Sequence, residues 1–274
     1  MKYFLFFLLL SVFKDVEAQQ YITEKNIRYY PEAVNAKDTS IAQRCTLDLY
    51  YPKGVKNFST VVWFHGGGIT AGAKEIPKAL MEKGLAVIGV DYRLSPSVKA
   101  PLYIEDAAAA VAWAFGHIAS YNGSNKLIFV SGHSAGGYLG MMITLDKKYL
   151  AKYNVDANNI AALIPFSGQA ITHFTVRQEK GIKETQPVID EYAPLYHVRA
   201  DAPPMILITG DRELELLGRY EENAYLARMM KLTGHKQTTL YELEGYDHGS
   251  MPEGAFPLLL KEIKKISKEV IDKK

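Results

Sequence analysis

Short apolar runs alternate along the chain with turn clusters and amphipathic stretches. Residues 44–51 set Leu47, Leu49 and Tyr51 against polar neighbours, the period-2 pattern of a half-buried strand. Residues 60–64, 85–90, 127–130, 161–166, 205–209 and 238–243 also read as strands, most of them apolar almost throughout. Runs apolar on both faces predict parallel strands covered by helices on each side. Between them, residues 106–120, 135–145, 220–232 and 257–271 predict helices, the first with Asp106 placed as a cap. Strand alternating with helix implies an α/β sheet with right-handed crossovers. Residues 169–204 break the rhythm with scattered Tyr, Phe, Pro and His and only a weak helical pattern. An irregular insertion of that length inside a compact domain is expected to serve as a lid, cap or binding loop. No linker, repeat or low-complexity tract divides residues 19–274, so they are expected to form one domain.

Residues 1–18 have a different character. Lys2 precedes an apolar run from Tyr3 to Phe13, and Val16-Glu17-Ala18 places small residues where a signal peptidase cuts. The run is too short to span a membrane, which takes about 20 residues. It predicts a signal peptide cleaved near Ala18, export to the periplasm or beyond, and no stable membrane anchor.

Composition narrows the function. The 274 residues carry 32 Lys+Arg against 30 Asp+Glu, a net charge of +2, which argues against an electrostatic nucleic-acid binder. The single cysteine, Cys45, can form neither an internal disulfide nor a thiolate zinc cluster, and reads as a small buried apolar residue. The basic C-terminal stretch 261–274 keeps Ile263, Ile266, Val270 and Ile271 as an apolar stripe, the solvated helix of a folded domain. No metal or cofactor is expected.

Candidate chemistry lies in three loops. Gly132-His133-Ser134-Ala135-Gly136-Gly137 follows one strand and opens a helix. Glycines two before and two after the serine permit a sharp strand-to-helix turn. That turn exposes the hydroxyl at a helix N-terminus, where amides favour a developing anion. Upstream, His65-Gly66-Gly67-Gly68 follows an earlier strand, and its glycines can turn backbone N–H groups toward the same point. His65 itself is expected to be structural. Gly66 to Ala71 also satisfies G-x-G-x-x-A with Asp91 ending the next strand, a dinucleotide-binding pattern. Pro77 and the stretch 69–76 make a poor helix start, which counts against that reading.

A serine nucleophile needs a base and an orienting acid, expected in the order Ser…Asp/Glu…His on loops after strands. His248, in the glycine-bracketed loop 244–249, has the right order and place. Asp211, directly after the strand at 205–209, is the expected acid, with Glu213 and Glu215 as alternatives. Asp247 is too close in sequence to His248 to align with it. His248 would take the Ser134 proton, Asp211 would hold its tautomer, and the Gly67, Gly68 and Ala135 amides would bind the oxyanion.

Taken together, HGGG at 65–68, DYRLSP at 91–96, Asp106, GHSAGG at 132–137, Gly210-Asp211 and Asp247-His248-Gly249 resemble the α/β-hydrolase esterases. The nearest groups are the hormone-sensitive-lipase-like branch and the secreted bacterial feruloyl or acetylxylan esterases. The resemblance spans nearly all of residues 40–270. It implies an eight-stranded, mostly parallel sheet, a Ser134–Asp211–His248 triad and a Gly67, Gly68, Ala135 oxyanion hole. The expected activity is hydrolysis of short or aromatic acyl esters, with plant polysaccharide a candidate substrate. Amide cleavage, as in kynurenine formamidase-like or peptidase-like relatives, is the alternative. Ile69 departs from the aromatic residue that many relatives carry after the glycines, and a large N-terminal lid looks absent. Both departures disfavour long acyl chains.

Overall fold

The structure, a computed structural model, describes residues 19–272; the signal-peptide reading falls outside them. Eight strands form one sheet: β1 (Tyr21–Arg28), β2 (Thr46–Pro52), β3 (Phe58–Phe64), β4 (Ala86–Val90), β5 (Gly123–His133), β6 (Ala162–Phe166), β7 (Met205–Gly210) and β8 (Thr238–Leu243). Their spatial order is β1-β2-β4-β3-β5-β6-β7-β8. β1 and β2 pair antiparallel, as do β2 and β4, and the remaining neighbours are parallel. Eight helices accompany them. Among the described residues, the short α1 (Glu32–Asn35) and α2 (Thr39–Arg44) precede β2. The crossovers supply α3 (Leu102–His117), α4 (Ala135–Leu145), α5 (Lys148–Ala151), α6 (Phe174–Glu179) and α7 (Arg219–Leu232), and α8 (Met251–Asp272) ends the chain.

The pleat sorts the core into two layers. Val62, Phe64, Ile128, Val130, Leu163 and Leu207 face α3, α4 and α7. Their strand neighbours Val61, Trp63, Leu127, Phe129, Ile164 and Ile208 face α8. Alternate side chains of each strand are therefore buried on opposite faces, which is why these segments read as unbroken apolar runs. Cys45 is fully buried, and burial pushes its thiol well up from the usual range. The α8 stripe buries Ile263 and Ile266 while its lysines face solvent.

Three elements differ from expectation. β1 was not signalled, because as an edge strand paired on one side it has only partly buried side chains and a weak apolar pattern. α3 begins at Leu102, so Asp106 is not a cap. Asp106 is fully buried inside the helix and receives a bidentate grip from Arg93, Nε to Oδ2 at 2.8 Å and Nη2 to Oδ1 at 2.7 Å. α8 begins six residues before the expected Pro257, which sits inside it. The missing N–H of that proline, the seventh residue of the helix, leaves the Glu253 carbonyl without its helical bond.

The chain passes from β3 to β4 on one side and returns across β3 to β5 on the other. The carboxyl ends of β3 and β5 therefore flank a point where the winding reverses, the place where α/β sheets form clefts.

Candidate active site

Ser134 ends the β5 turn with φ 55° and ψ −113°, a left-handed conformation costly for any residue other than glycine. Tight packing holds it there. A Cβ on Gly136 would lie 2.0 Å from the Phe64 carbonyl oxygen, and one on Gly132 would lie 2.6 Å from the same atom. Only glycines let the β5 turn approach β3 this closely. The Ser134 amide donates to the Phe166 carbonyl at 2.8 Å, tying the turn to β6.

The β3 loop runs beside it. Gly67 and Gly68 have φ 104° and 63°, and the Gly67 carbonyl accepts the Thr70 and Ala71 amides at 3.0 and 2.9 Å. Its carbonyl is thereby turned into the loop. Among the described residues no group accepts the amides of Gly67, Gly68 or Ala135. His65 is buried and structural, as expected. It stacks on Tyr92 with ring centroids 4.4 Å apart, bonds the Gly66 carbonyl through Nδ1 at 2.7 Å and lies 3.4 Å from Asp91. No helix starts at the glycines, and the first helical turn comes only at Lys78–Leu80. Asp91 is engaged by the Lys74 amide at 2.7 Å and by Arg44 at 3.4 Å, so the dinucleotide pattern has neither its helix nor its free carboxylate.

His248 lies in the loop between β8 and α8. Its Nε2 is 2.9 Å from Ser134 Oγ and its Nδ1 is 2.7 Å from Glu215 Oε2. The acid that meets His248 is thus Glu215, not Asp211. Asp211 accepts the Glu213 amide at 2.9 Å and the Gly245 amide at 2.8 Å, so its carboxylate braces the β7 and β8 loops against each other. The Asp211 carbonyl accepts the Glu215 amide at 2.9 Å, closing a turn that folds Glu215 back under the sheet edge. A glutamate one turn further on, with its extra methylene, reaches where the aspartate cannot. Glu213 points to solvent, and Asp247 caps the start of α8 through Ser250. Nothing in the sequence ranks Glu215 above Asp211, since both follow β7 and only the turn between them decides.

Burial raises the Glu215 carboxyl, but hydrogen bonds from His248, Ser167 and the Gly210 amide outweigh it and hold the group down at about 2. It is an anion at any working pH and fixes the His248 proton on Nδ1, leaving Nε2 to accept from Ser134. His133 lies against His248, with ring centroids 4.8 Å apart and Nε2 2.9 Å from the His248 carbonyl. Burial first, then the neighbouring His248, lowers its pKa to about 4. His133 is therefore neutral, and its Nε2–H donates to the His248 backbone. The remaining histidines are structural: His117 stacks on Trp113, His173 caps α6, His197 Nε2 is 2.9 Å from the Glu191 carbonyl oxygen, and His235 bonds Thr238 and the Ala202 carbonyl.

The insertion 169–204 comes to the β3 glycines. The Phe174 ring lies 3.0 Å from where a Gly68 Cβ would stand, and Thr175 Oγ1 donates to the Gly68 carbonyl at 2.5 Å. Gln169 Oε1 accepts the Phe174 amide at 2.9 Å, and the Leu195 amide returns to the Ala170 carbonyl at 2.9 Å.

An eight-stranded sheet of this order, with a serine elbow after β5 and a histidine after β8, is the α/β-hydrolase fold. The BD-FAE family model matches residues 47–216, more than half of the sequence, and the chain belongs to that family. It is similar to "Esterase LipC" of Mycobacterium tuberculosis, 25% identical over 205 residues, covering 68% of this chain and 50% of that protein. It is also similar to "Probable carboxylic ester hydrolase LipM" of the same organism, 28% identical over 169 residues, covering 53% and 39%. The chain spans about half the length of these curated relatives, or less. Among solved structures, a truncated form of a carbohydrate esterase from gut microbiota has the same fold. Its TM-score is 0.73 at 18% identity, covering 92% of this chain and 98% of that one.

Proposed function

We propose that this protein is a serine carboxylesterase acting on short or aromatic acyl esters through an acyl-enzyme on Ser134. The observation that carries the reading is the continuous chain from Glu215 Oε2 to His248 Nδ1 at 2.7 Å and from His248 Nε2 to Ser134 Oγ at 2.9 Å. Among the described residues the Gly67, Gly68 and Ala135 amides have no acceptor, which supports reading them as the oxyanion hole. Ser134 Oγ would attack the ester carbonyl while its proton passes to His248 Nε2. The Gly67, Gly68 and Ala135 amides would hold the tetrahedral oxyanion, and Glu215 would stabilise the imidazolium. On collapse the alkoxide would leave with the proton from His248. Water, deprotonated by the same histidine, would then attack the acyl-enzyme, release the carboxylic acid and restore the serine.

The Phe174 ring against Gly68 supports a short or flat acyl group, because it occupies space beside the oxyanion loop. Esters of plant polysaccharide are proposed as natural substrates, in keeping with the carbohydrate esterase among the similar folds. Export follows as a proposal from the residues 1–18 pattern.

The purified protein should hydrolyse p-nitrophenyl acetate and be labelled by a fluorophosphonate at Ser134. Full activity in Ser134→Ala would overturn the assignment. Acetylated xylan and methyl ferulate test the polysaccharide and aromatic acyl readings. Faster cleavage of matched p-nitroanilides would replace the ester reading with an amide one. The N-terminal sequence of the exported protein tests cleavage near Ala18.

A further inference from the structure

The Glu215 side chain is only 1% exposed, and the hydrogen bonds that surround it come from an unusual turn. Glu215 Oε1 receives the Gly210 amide at 2.8 Å and the Ser167 hydroxyl. Ser167 directly follows β6 with φ 44°, a conformation a non-glycine residue adopts only under constraint. The constraint comes from α7. Arg219 Nη1 donates to the Ser167 carbonyl. One helical turn later, Asn223 Nδ2 donates to the Gly168 carbonyl at 2.8 Å and to the Arg219 carbonyl at 2.9 Å. Two side chains on one face of the helix thus grip consecutive carbonyls of one turn. From the other side the same turn is pressed by the nucleophile's helix, for a Cβ on Gly137 would lie 2.9 Å from Gly168 Cα.

Arg219 is 2% exposed and forms no ion pair among the described residues, and its Nε has no partner. No carboxylate is within bonding distance, and Glu222 and Glu215 act on the guanidinium only through space. Burying it this way is expensive, and an apolar residue of similar volume would fill the space more cheaply. Among the described residues, the one hydrogen bond its side chain makes is to the carbonyl of the residue whose hydroxyl meets the triad acid.

We propose that Arg219 is a positioning residue for catalysis, acting through Ser167. With Asn223 it locks the Ser167-Gly168 turn so that the Ser167 hydroxyl holds Glu215 Oε1 and leaves Oε2 aimed at His248. The inference rests on the reading of Glu215 as the triad acid. Without the clamp the Ser167 backbone relaxes from its left-handed conformation, its hydroxyl swings away, and Glu215 loses one of the bonds that orient it. The Ser167 hydroxyl acts on Glu215, a group that works in the chemical step, so the loss is expected on kcat and not on KM.

The test is a double-mutant cycle with kcat and KM measured on p-nitrophenyl acetate. Ser167→Ala should lower kcat about tenfold, the worth of one hydrogen bond to a charged group, with KM within about twofold. Arg219→Met should lower kcat at least as much, and the double variant should be no slower than Arg219→Met alone, because both break one linkage. Arg219→Lys, which keeps a donor for the Ser167 carbonyl, should recover most of the loss. A residue that merely filled space would give none of this pattern. Unchanged kcat in Ser167→Ala, or multiplicative losses in the double variant, overturns the proposal. If Arg219→Met does not fold, Asn223→Ala takes its place in the cycle and should also be non-additive with Ser167→Ala. Glu215→Gln separates the two levels. Full activity there removes the triad reading itself, whereas loss of activity there with an intact Ser167→Ala removes only this inference.

Discussion

Glu215 meets His248 with Oε2 2.7 Å from Nδ1, while Asp211, four residues earlier and first after β7, turns its carboxylate to the amides of Glu213 and Gly245. The two acids divide the work of one loop. Asp211 builds the turn that brings β7 and β8 loops together, and Glu215 is delivered to the histidine by that turn.

Substitution separates these roles. Glu215→Gln should lower kcat on the order of 10³–10⁴-fold, because a neutral amide can also donate to His248 and favours the wrong tautomer. Asp211→Asn should cost less than about tenfold in kcat and lower the urea midpoint slightly, through weakened bonds to two amides. Steady-state kinetics and urea melts on the two variants check this. A larger kcat loss in Asp211→Asn than in Glu215→Gln would reverse the assignment.

The contrast shows what the sequence could carry. Apolar runs located β3 to β7, since strands buried on both faces must be apolar on both, and alternation located β2. The serine elbow was legible because its glycines are demanded by backbone contacts within a few residues, Gly136 against Phe64 above all. His248 was legible by order and loop. Glu215 was not, because the choice between it and Asp211 depends on a five-residue turn whose geometry is set by contacts from β8. β1 was hidden for a related reason, an edge strand buries too little to impose a pattern. Arg219 and Ser167 carried no signal at all, since their pairing joins segments 52 residues apart.

Gly136 offers a stability test of the elbow. A Cβ there would sit 2.0 Å from the Phe64 carbonyl and 2.7 Å from that of His65, both backbone atoms that cannot swing aside. Gly136→Ala should destabilise by about 3 kcal/mol, lowering the melting temperature by roughly 6–12 °C. Activity should fall further than stability requires, since forcing β3 away from the elbow moves the Gly67 and Gly68 amides from Ser134. Calorimetry with kcat at a temperature well below melting checks both parts. A variant that melts like the parent would show that β3 and the elbow are not in contact.

His133 predicts a pH dependence of stability. Its folded pKa of about 4 lies below the ordinary 6.5, so the unfolded chain binds this proton more readily than the folded one. The stability it contributes is complete above pH 6.5 and is lost as pH falls toward 4. His133→Gln retains a donor for the His248 carbonyl but does not titrate. The loss of stability between pH 7 and pH 4.5 should therefore be smaller in the variant by roughly 2–3 kcal/mol. Glu215 and the other titrating groups act equally in both proteins and cancel in the difference. Urea unfolding at a series of pH values reads it directly, and parallel curves for the two proteins would refute the burial argument.

Phe174 predicts a change in acyl preference. It reaches the oxyanion loop from the insertion, its ring against Gly68 and its backbone held by Gln169, while Thr175 fastens the same segment to the Gly68 carbonyl. A ring fixed at both ends cannot move aside for a longer chain. Phe174→Ala opens that space and leaves the catalytic groups untouched. The ratio of kcat/KM for p-nitrophenyl octanoate over p-nitrophenyl acetate should rise about tenfold, the discrimination a hydrophobic pocket gains from a few methylenes. The acetate rate should change by less than about threefold, since acetate does not reach the ring. An unchanged ratio would mean that the acyl group lies away from the insertion. The proposed restriction to short chains would then have to come from the other side of the Ser134 cleft.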